Sequence, residues 1–283
     1  MKRTKQVYVI AEIGINHNGS MNLARALIDK AAEAGCNAVK FQKRDIDTTY
    51  TKEELETPRQ SPWGTTTRQQ KEGLEFNADQ YRELYAYTKN LGLDFGVSCW
   101  DVPSVELIEK AINVDFHKVA SASITDKALV ESIKATGKSV ILSTGMSDAA
   151  QVWKAVDAIG VKRLERGGIL ACTSTYPTKP EEVNLNYIST LQDNYLPVPV
   201  GFSNHYNGHD ACIGAVALGA SIVEFHITCD RTMYGSDQAA SIENVKELVS
   251  GIRNMESMLG TGEKVVFPSE VPIAKKLRKV NTL

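Results

Sequence analysis

"SIVEFHIT", residues 221–228, has five apolar or β-branched positions out of eight and reads as a buried strand. Within it Glu224 and His226 lie two residues apart, so both side chains project from the same face. An acid and an imidazole on one face of a core strand need partners, because an isolated buried charge is expensive. Working outward, the run is the last of eight similar ones: VYVIAEIG from Val7, AVKFQK from Ala38, DFGVSCW from Asp94, FHKVAS from Phe116, SVILSTG from Ser139, GILACTS from Gly168, PVGFSN from Pro199 and SIVEFHIT itself. Segments of helical spacing separate or follow them, at about 22–34, 78–91, 103–112, 126–136, 148–159, 184–193, 209–219 and 241–258. Asp126 and Ser147 are candidate N-caps, and Gly35, Gly92, Gly137, Gly160 and Gly219 are candidate stops. Eight βα units in one stretch of this length predict an α/β protein with a TIM (β/α)8 barrel. The alternative, an open doubly wound sheet, would usually carry G-x-G-x-x-G after its first strand, and IGINHNGS (13–20) matches that poorly.

Composition narrows the partners. The 283 residues are 42% hydrophobic and 23% charged, with 32 Lys and Arg against 34 Asp and Glu and a net charge of -2. That balance offers no electrostatic footprint for nucleic acid or an anionic membrane, and points to small-molecule substrates. The cysteines (Cys36, Cys99, Cys172, Cys212 and Cys229) form no C-x-x-C pair, which argues against a disulfide framework or zinc knuckle and fits a reducing cytoplasm. The N-terminal MKRTKQVYVIAEIG lacks the apolar stretch of a signal peptide, and no segment approaches the ~20 apolar residues of a membrane span. The expectation is one barrel domain over 1–283, with 44–77 as an unusually long βα loop and 264–283 as a C-terminal tail.

In such a barrel, functional groups come from the C-terminal ends of the strands and the loops after them. The polar residues fall there: Glu12, Lys40 and Gln42, Ser98, Lys118 and Ser121, Ser143 and Thr144, Thr173 and Ser174, Ser203 and His205, Glu224 and His226. Lys40 and Lys118 sit inside otherwise apolar runs, where a charge needs a partner. With the serine hydroxyls and free backbone N–H groups they form a candidate cradle for phosphate or carboxylate, the alternative being a structural ion-pair network. His205 and His226 come from the seventh and eighth strands, which are neighbours in the wall. Two imidazoles with oxygen donors and room for water suit a labile divalent ion, Mn²⁺ foremost, with Mg²⁺, Co²⁺ or Fe²⁺ as alternatives, acting as a Lewis acid on a carbonyl. Glu12 and Glu224 either orient a metal-bound water or imidazole, or pair with a rim lysine. His17, His117 and His209 read as structural.

The blocks AEIGINHNG (11–19), AVKFQK (38–43), HKVAS (117–121), VILSTGM (140–146), CTSTYPT (172–178), GFSNH (201–205), GAVALGASIVEFHIT (214–228) and DRTMYGSDQAAS (230–241) together resemble the synthase barrel of the sialic acid (N-acetylneuraminate) synthase family. The resemblance runs in order over nearly the whole chain. It implies a TIM barrel that condenses phosphoenolpyruvate with an amino-sugar aldehyde to give a 2-keto acid and phosphate. It implies further that Lys40, Lys118, Ser121, Ser143 and Ser203 hold phosphoenolpyruvate and that His205 and His226 hold the metal. Gln42, Tyr176 and Asp237 would face the sugar, with Ser174 beside them where an asparagine is frequent, and Glu12 would lie near the metal. Lys118, Glu12, Glu224 and Asp237 are the candidate catalytic set. A homodimer is implied by analogy.

Departures from the family pattern cluster on the acceptor side. KVASAS puts Ser123 in place of a glutamate, GSDQ puts Gln238 in place of a histidine, and SCWD puts Cys99 and Trp100 at the rim of the third strand. These changes predict a related condensation with a different aldehyde. The chain ends about where the family's linker to a small antifreeze-like domain begins, so the acceptor site is expected to be open or closed by 44–77. For that segment a lid is one reading and disorder the other, and Trp63 and Arg68 are its first candidates for acceptor contact. A metal-dependent pyruvate aldolase and a non-catalytic phosphoenolpyruvate-binding or keto-acid-binding relative stand as alternative functions.

Overall fold

A computed structural model describes residues 6–280. The basic N-terminal residues and the last three of the C-terminal tail lie outside the described residues. The strands in chain order are β1 (Tyr8–Gly14), β2 (Ala38–Lys43), β3 (Pro58–Ser61), β4 (Gly64–Thr66), β5 (Asp94–Cys99), β6 (Phe116–Val119), β7 (Ser139–Ser143), β8 (Gly168–Cys172), β9 (Val200–Asn204) and β10 (Ile222–His226). All but β3 and β4 close into an eight-stranded parallel barrel in the order β1-β10-β9-β8-β7-β6-β5-β2, with β1 paired to both β10 and β2. The predicted fold and its eight runs are therefore the observed ones. Because β9 lies beside β10 and β10 beside β1, the ends carrying His205, His226 and Glu12 are neighbours.

Alternation along the strands separates two cores. Outward residues such as Val9, Val39, Phe95 and Val223 pack against the surrounding helices. Inward residues Ile10, Ala38, Phe116, Ile141, Leu170 and Ile222 form a separate apolar plug inside the barrel. Gly96 makes this plug possible, since a Cβ there would lie 2.2 Å from the Phe116 ring. One inward step further toward the C-terminal ends the side chains turn polar: Glu12, Lys40, Ser98, Lys118, Ser143, Cys172, Ser203 and Glu224. The plug is the dry floor on which the site rests.

The helices follow the expected spacing, with differences that have local causes. Asp126 caps Lys127–Ala135 by accepting from the Leu129 amide. The next cap is Asp148 and not Ser147: Asp148 and Gln151 form a reciprocal capping box at Ala149–Ile159, while the Ser147 hydroxyl donates to the Gly145 carbonyl. Gly35 ends Met21–Ala34 in the left-handed region at φ 82°. The last barrel helix begins at Val245, after Ile242 bridges to Ile227, so 230–244 is a loop over the mouth.

The long 44–77 segment is folded. It holds short helices at Ile46–Thr49 and Lys52–Glu56, the antiparallel β3–β4 hairpin and a helix at Thr67–Leu74. Capping boxes at Thr51/Glu54 and Thr66/Gln69 fix two of those helices. Trp63 lies against Gly73, where a Cβ would come within 2.1 Å of the indole, and its ring meets Tyr234 edge-on at 5.5 Å. Arg68 pairs with Asp47 and Glu72 on the surface. Neither Trp63 nor Arg68 lines the barrel cavity. The tail carries an exposed helix, Glu270–Leu277. No helix among the described residues is long and apolar enough to cross a membrane, and all five cysteines are free.

Candidate active site

The strand register assembles the site. Glu12 is level with Lys40 on β2 and with His226 on β10, Gln42 with Ser98, and Glu224 with Ser203. These residues line a cavity of about 260 Å³ at the C-terminal mouth, together with Lys118, Ser121, Ser143, Ser174, Tyr176 and His205. Twelve of the thirteen site residues expected from sequence therefore share one cavity. The exception is Asp237, which stands behind His226, its Oδ2 3.6 Å from His226 Nδ1. Ser123 and Gln238 are buried and also lie off the cavity wall.

Both lysines are met by carboxylates. Lys40 Nζ is 2.6 Å from Glu12 Oε2 and 3.4 Å from Glu224 Oε1, and it donates to Ser98 Oγ at 2.8 Å. Lys118 donates to Glu224 Oε2 across the barrel. Burial alone would raise Glu224, but Lys118 and Lys40 hold its carboxyl down at about 2. Burial likewise opposes the charge on Lys40, and Glu12 and Glu224 outweigh it and raise its pKa. The carboxylates thus pair with lysines, the second of the two roles open to them from sequence. Gln42 bridges this network outward: its Nε2 donates to Glu12 Oε1 at 2.7 Å and its Oε1 accepts from Arg44. Arg44 in turn lies over the Trp100 ring at 4.1 Å.

The serines form a shallow nest beside Lys118. Ser121 Oγ accepts from the Gly145 amide at 3.1 Å, and a Cβ on Gly145 would lie 2.2 Å from Ser174 Oγ and 2.8 Å from Ser121 Oγ. Only glycine leaves that space open. Ser143 Oγ is buried without a hydrogen-bond partner, which is the state of a group placed for a ligand.

The two imidazoles stand 5.4 Å apart, centroid to centroid. His205 Nδ1 donates to the Thr173 carbonyl at 2.7 Å, so Nε2 carries the free lone pair. His226 Nδ1 is buried with no hydrogen-bond partner. Burial lowers the His226 pKa, with Asp237 and Glu12 pulling the other way. For His205 burial is overcome by Cys172 and the Thr173 carbonyl, and its pKa is raised. The pair fits a cation completed by ligand or water oxygens. No cluster of three or more His, Cys, Asp or Glu groups among the described residues is arranged to enclose one. Tyr176 packs on both, its ring tilted over His205 at 4.1 Å and edge-on to His226 at 5.6 Å.

Besides Ala120 and Ala122, the wall residues Met146 and Cys172 fell outside the sequence-derived site, and Trp100, expected at the rim of the third strand, also lines the cavity. Cys172 Sγ is 3.6 Å from Ser121 Oγ and 3.8 Å from His205 Nδ1. Burial would raise its thiol, and His205, Ser121 and Lys118 bring it to about 7. Its place at the end of β8 is the signal that could have found it. Two of the three histidines read as structural lie away from the cavity in packed settings: His17 stacks on Phe76 at 4.2 Å, and His117 pairs with Glu109 on the helical side of the wall.

Comparison with known proteins gives the family. The human N-acetylneuraminate-9-phosphate synthase is 38% identical over 279 residues, covering 96% of this chain and 76% of its own length. The N,N'-diacetyllegionaminic acid synthase of Legionella pneumophila is 34% identical, with 98% and 80% covered. Among solved structures, the N-acetylneuraminic acid (sialic acid) synthetase from Leptospira borgpetersenii in complex with citrate superposes with a TM-score of 0.82 at 30% identity, covering 98% of this chain and 94% of that one. With residues 27–264 matching the family's sequence model as well, this chain belongs to the NeuB family.

Proposed function

We propose that the chain condenses phosphoenolpyruvate with the aldehyde of a sugar to give a sialic-acid-like 3-deoxy-2-keto acid and inorganic phosphate. The observation that carries this reading is the convergence of two buried lysines, a serine nest and a pair of imidazoles in one cavity over a dry apolar floor. Lys40 and Lys118 are balanced by Glu12 and Glu224. A strongly anionic substrate therefore requires further positive charge, which a cation at His205 and His226 supplies.

In this reading Lys118, Lys40, Ser121, Ser143 and Ser203 hold the phosphate and carboxylate. Gln42, Tyr176 and Ser174 face the sugar. His205 and His226 would hold a divalent ion, Mn²⁺ foremost, which would supply Lewis acidity toward the aldehyde oxygen. Glu12 and Glu224 keep the lysines charged and aimed, and Asp237 orients His226 from behind. C3 of phosphoenolpyruvate bonds to the aldehyde carbon, a water oxygen adds at C2, and the C2–O bond to phosphate breaks. The site's own contribution is to hold the two reactants in register and to meet developing charge with fixed groups. Trp100, Tyr176 and Met146 add apolar surface to the cavity wall. A homodimer belongs to the proposal, with the exposed Val266, Phe267, Ile273 and Leu277 of the C-terminal segment supporting it.

The test is phosphate release from phosphoenolpyruvate with Mn²⁺ and a panel of aldoses and N-acylhexosamines. Release that depends on both the metal and the aldehyde supports the reading. Cleavage of a 2-keto acid to pyruvate without any phosphate requirement would identify a pyruvate aldolase instead.

A further inference from the structure

A second cavity of about 430 Å³ adjoins the first beside the ends of β7 and β8, and Met146, Cys172 and Ser174 line both. The shared wall lies next to the imidazole pair, since Cys172 Sγ is 3.8 Å from His205 Nδ1. The first cavity, about 260 Å³, falls below the ~300 Å³ at which pockets begin to take a single drug-sized ligand. Under the proposed condensation, on which this inference rests, it must hold phosphoenolpyruvate and the aldehyde end together. The body of the acceptor needs adjoining space.

The chemistry of the second cavity indicates what that body is. Its wall presents Thr144, Ser147, Thr173, Thr175, Asn184 and Tyr187, and no Lys, Arg, His, Asp or Glu lines it. The hydroxyls of Thr144, Ser147 and Thr173 donate to the carbonyls of Leu170, Gly145 and Glu182. Their oxygens keep lone pairs for donors on a ligand. Sugar hydroxyls and an amide N–H are such donors. A phosphate has none to offer at neutral pH and would meet no cation here. The lysines lining the first cavity, Lys40 and Lys118, are the ones the proposed reaction assigns to phosphoenolpyruvate.

We infer that this groove is an acceptor subsite for the uncharged polyhydroxyl or N-acyl tail of the sugar, and that the acceptor is not phosphorylated. Ala149 lines the groove, is exposed at the first position of its helix and touches none of the catalytic groups named above. Ala149→Trp fills the groove from outside, and Asn184→Gly removes an amide while keeping the left-handed φ of 51° that Asn184 adopts.

The experiment compares an N-acetylhexosamine, its 6-phosphate and erythrose at saturating phosphoenolpyruvate and Mn²⁺, in wild type and both variants. The expected result is a wild-type kcat/KM for the free sugar at least about tenfold above that for its phosphate. Ala149→Trp should raise the KM for the free sugar by about tenfold or more, on the scale of a lost pocket contact, and Asn184→Gly should raise it less. The KM values for phosphoenolpyruvate and for erythrose, which is too short to enter the groove, should stay unchanged. Preference for the phosphate, or equal effects of Ala149→Trp on all three aldehydes, would overturn the inference. Calorimetric titration of the N-acetylhexosamine into phosphoenolpyruvate-loaded protein reads the groove without turnover. Binding lost in Ala149→Trp supports the subsite and unchanged binding rejects it, while absent phosphate release across the panel counts against the reaction itself.

Discussion

Lys118 on β6 and Glu224 on β10 meet across the barrel, and Lys40 on β2 reaches the other oxygen of the same carboxylate at 3.4 Å. One acid thus holds two cations, from strands separated only by β5, over an apolar floor. Removing one partner from a buried pair leaves an uncompensated charge, typically at a cost of about 3–5 kcal/mol. Lys118→Met should lose stability on that scale in urea unfolding, and Lys118→Met/Glu224→Gln should recover much of it. Both should lose phosphoenolpyruvate affinity. Equal stability of the single and double variants would mean that the pair is not coupled.

The imidazole pair predicts a separable loss. His226 Nδ1 makes no hydrogen bond, so His226→Ala should leave the fold intact while removing the ion. In wild type, Mn²⁺ at ~100 times its Kd should stabilise by about 2.7 kcal/mol, read as a rise in Tm. The variant should show no rise, with an unchanged Tm in chelator. A retained Mn²⁺ shift would place the ion elsewhere.

Gly145→Ala tests the serine nest. The added methyl would press on Ser174 Oγ and Ser121 Oγ, groups at the ligand side of the wall. The expected outcome is a KM for phosphoenolpyruvate raised by about tenfold or more, a loss of ~1.4 kcal/mol or more, with far-UV circular dichroism unchanged. An unaltered KM would remove Ser121 from the anion site.

Buried His17 gives a pH signature away from the active site. Burial lowers its pKa from 6.5 to about 3, so below pH 6.5 the unfolded chain takes up a proton that the folded one refuses. Stability from this group is full above pH 6.5 and falls as pH drops toward about 3, by up to ~1.4 kcal/mol per unit. Glu224, lowered from 4.5 to about 2, adds a slope of the same sign only below about pH 4.5. Urea unfolding between pH 4.5 and 6.5 should therefore show a slope that His17→Gln flattens. An identical slope in both proteins would contradict the burial argument.

What the sequence makes legible here is whatever the strand period controls. Glu12, Lys40, Gln42, Glu224 and His226 sit at alternating positions near strand ends, so their shared face and shared rim can be read before any coordinates. The pairing of Lys118 with Glu224 cannot, because it depends on the width of a closed barrel and not on spacing along a strand. Trp63 and Arg68 show the converse: a polar, glycine-punctuated segment reads as lid or disorder, but capping boxes and the contacts of Trp63 with Gly73 and Tyr234 give it a fold that spacing does not reveal. At the Ala149–Ile159 helix two adjacent residues can cap, and the glutamine three positions on from Asp148 decides between them. Met146 and Cys172 escape a search for charges because they shape the cavity through bulk and polarisable surface.

The account's central claim is tested most directly by the mass of the organic product formed from phosphoenolpyruvate, Mn²⁺ and an N-acetylhexosamine. The predicted result is one new 2-keto acid, heavier than the acceptor by a pyruvate unit and formed in equal amount to the phosphate released. Phosphate accompanied by free pyruvate, with the acceptor recovered unchanged, would contradict it.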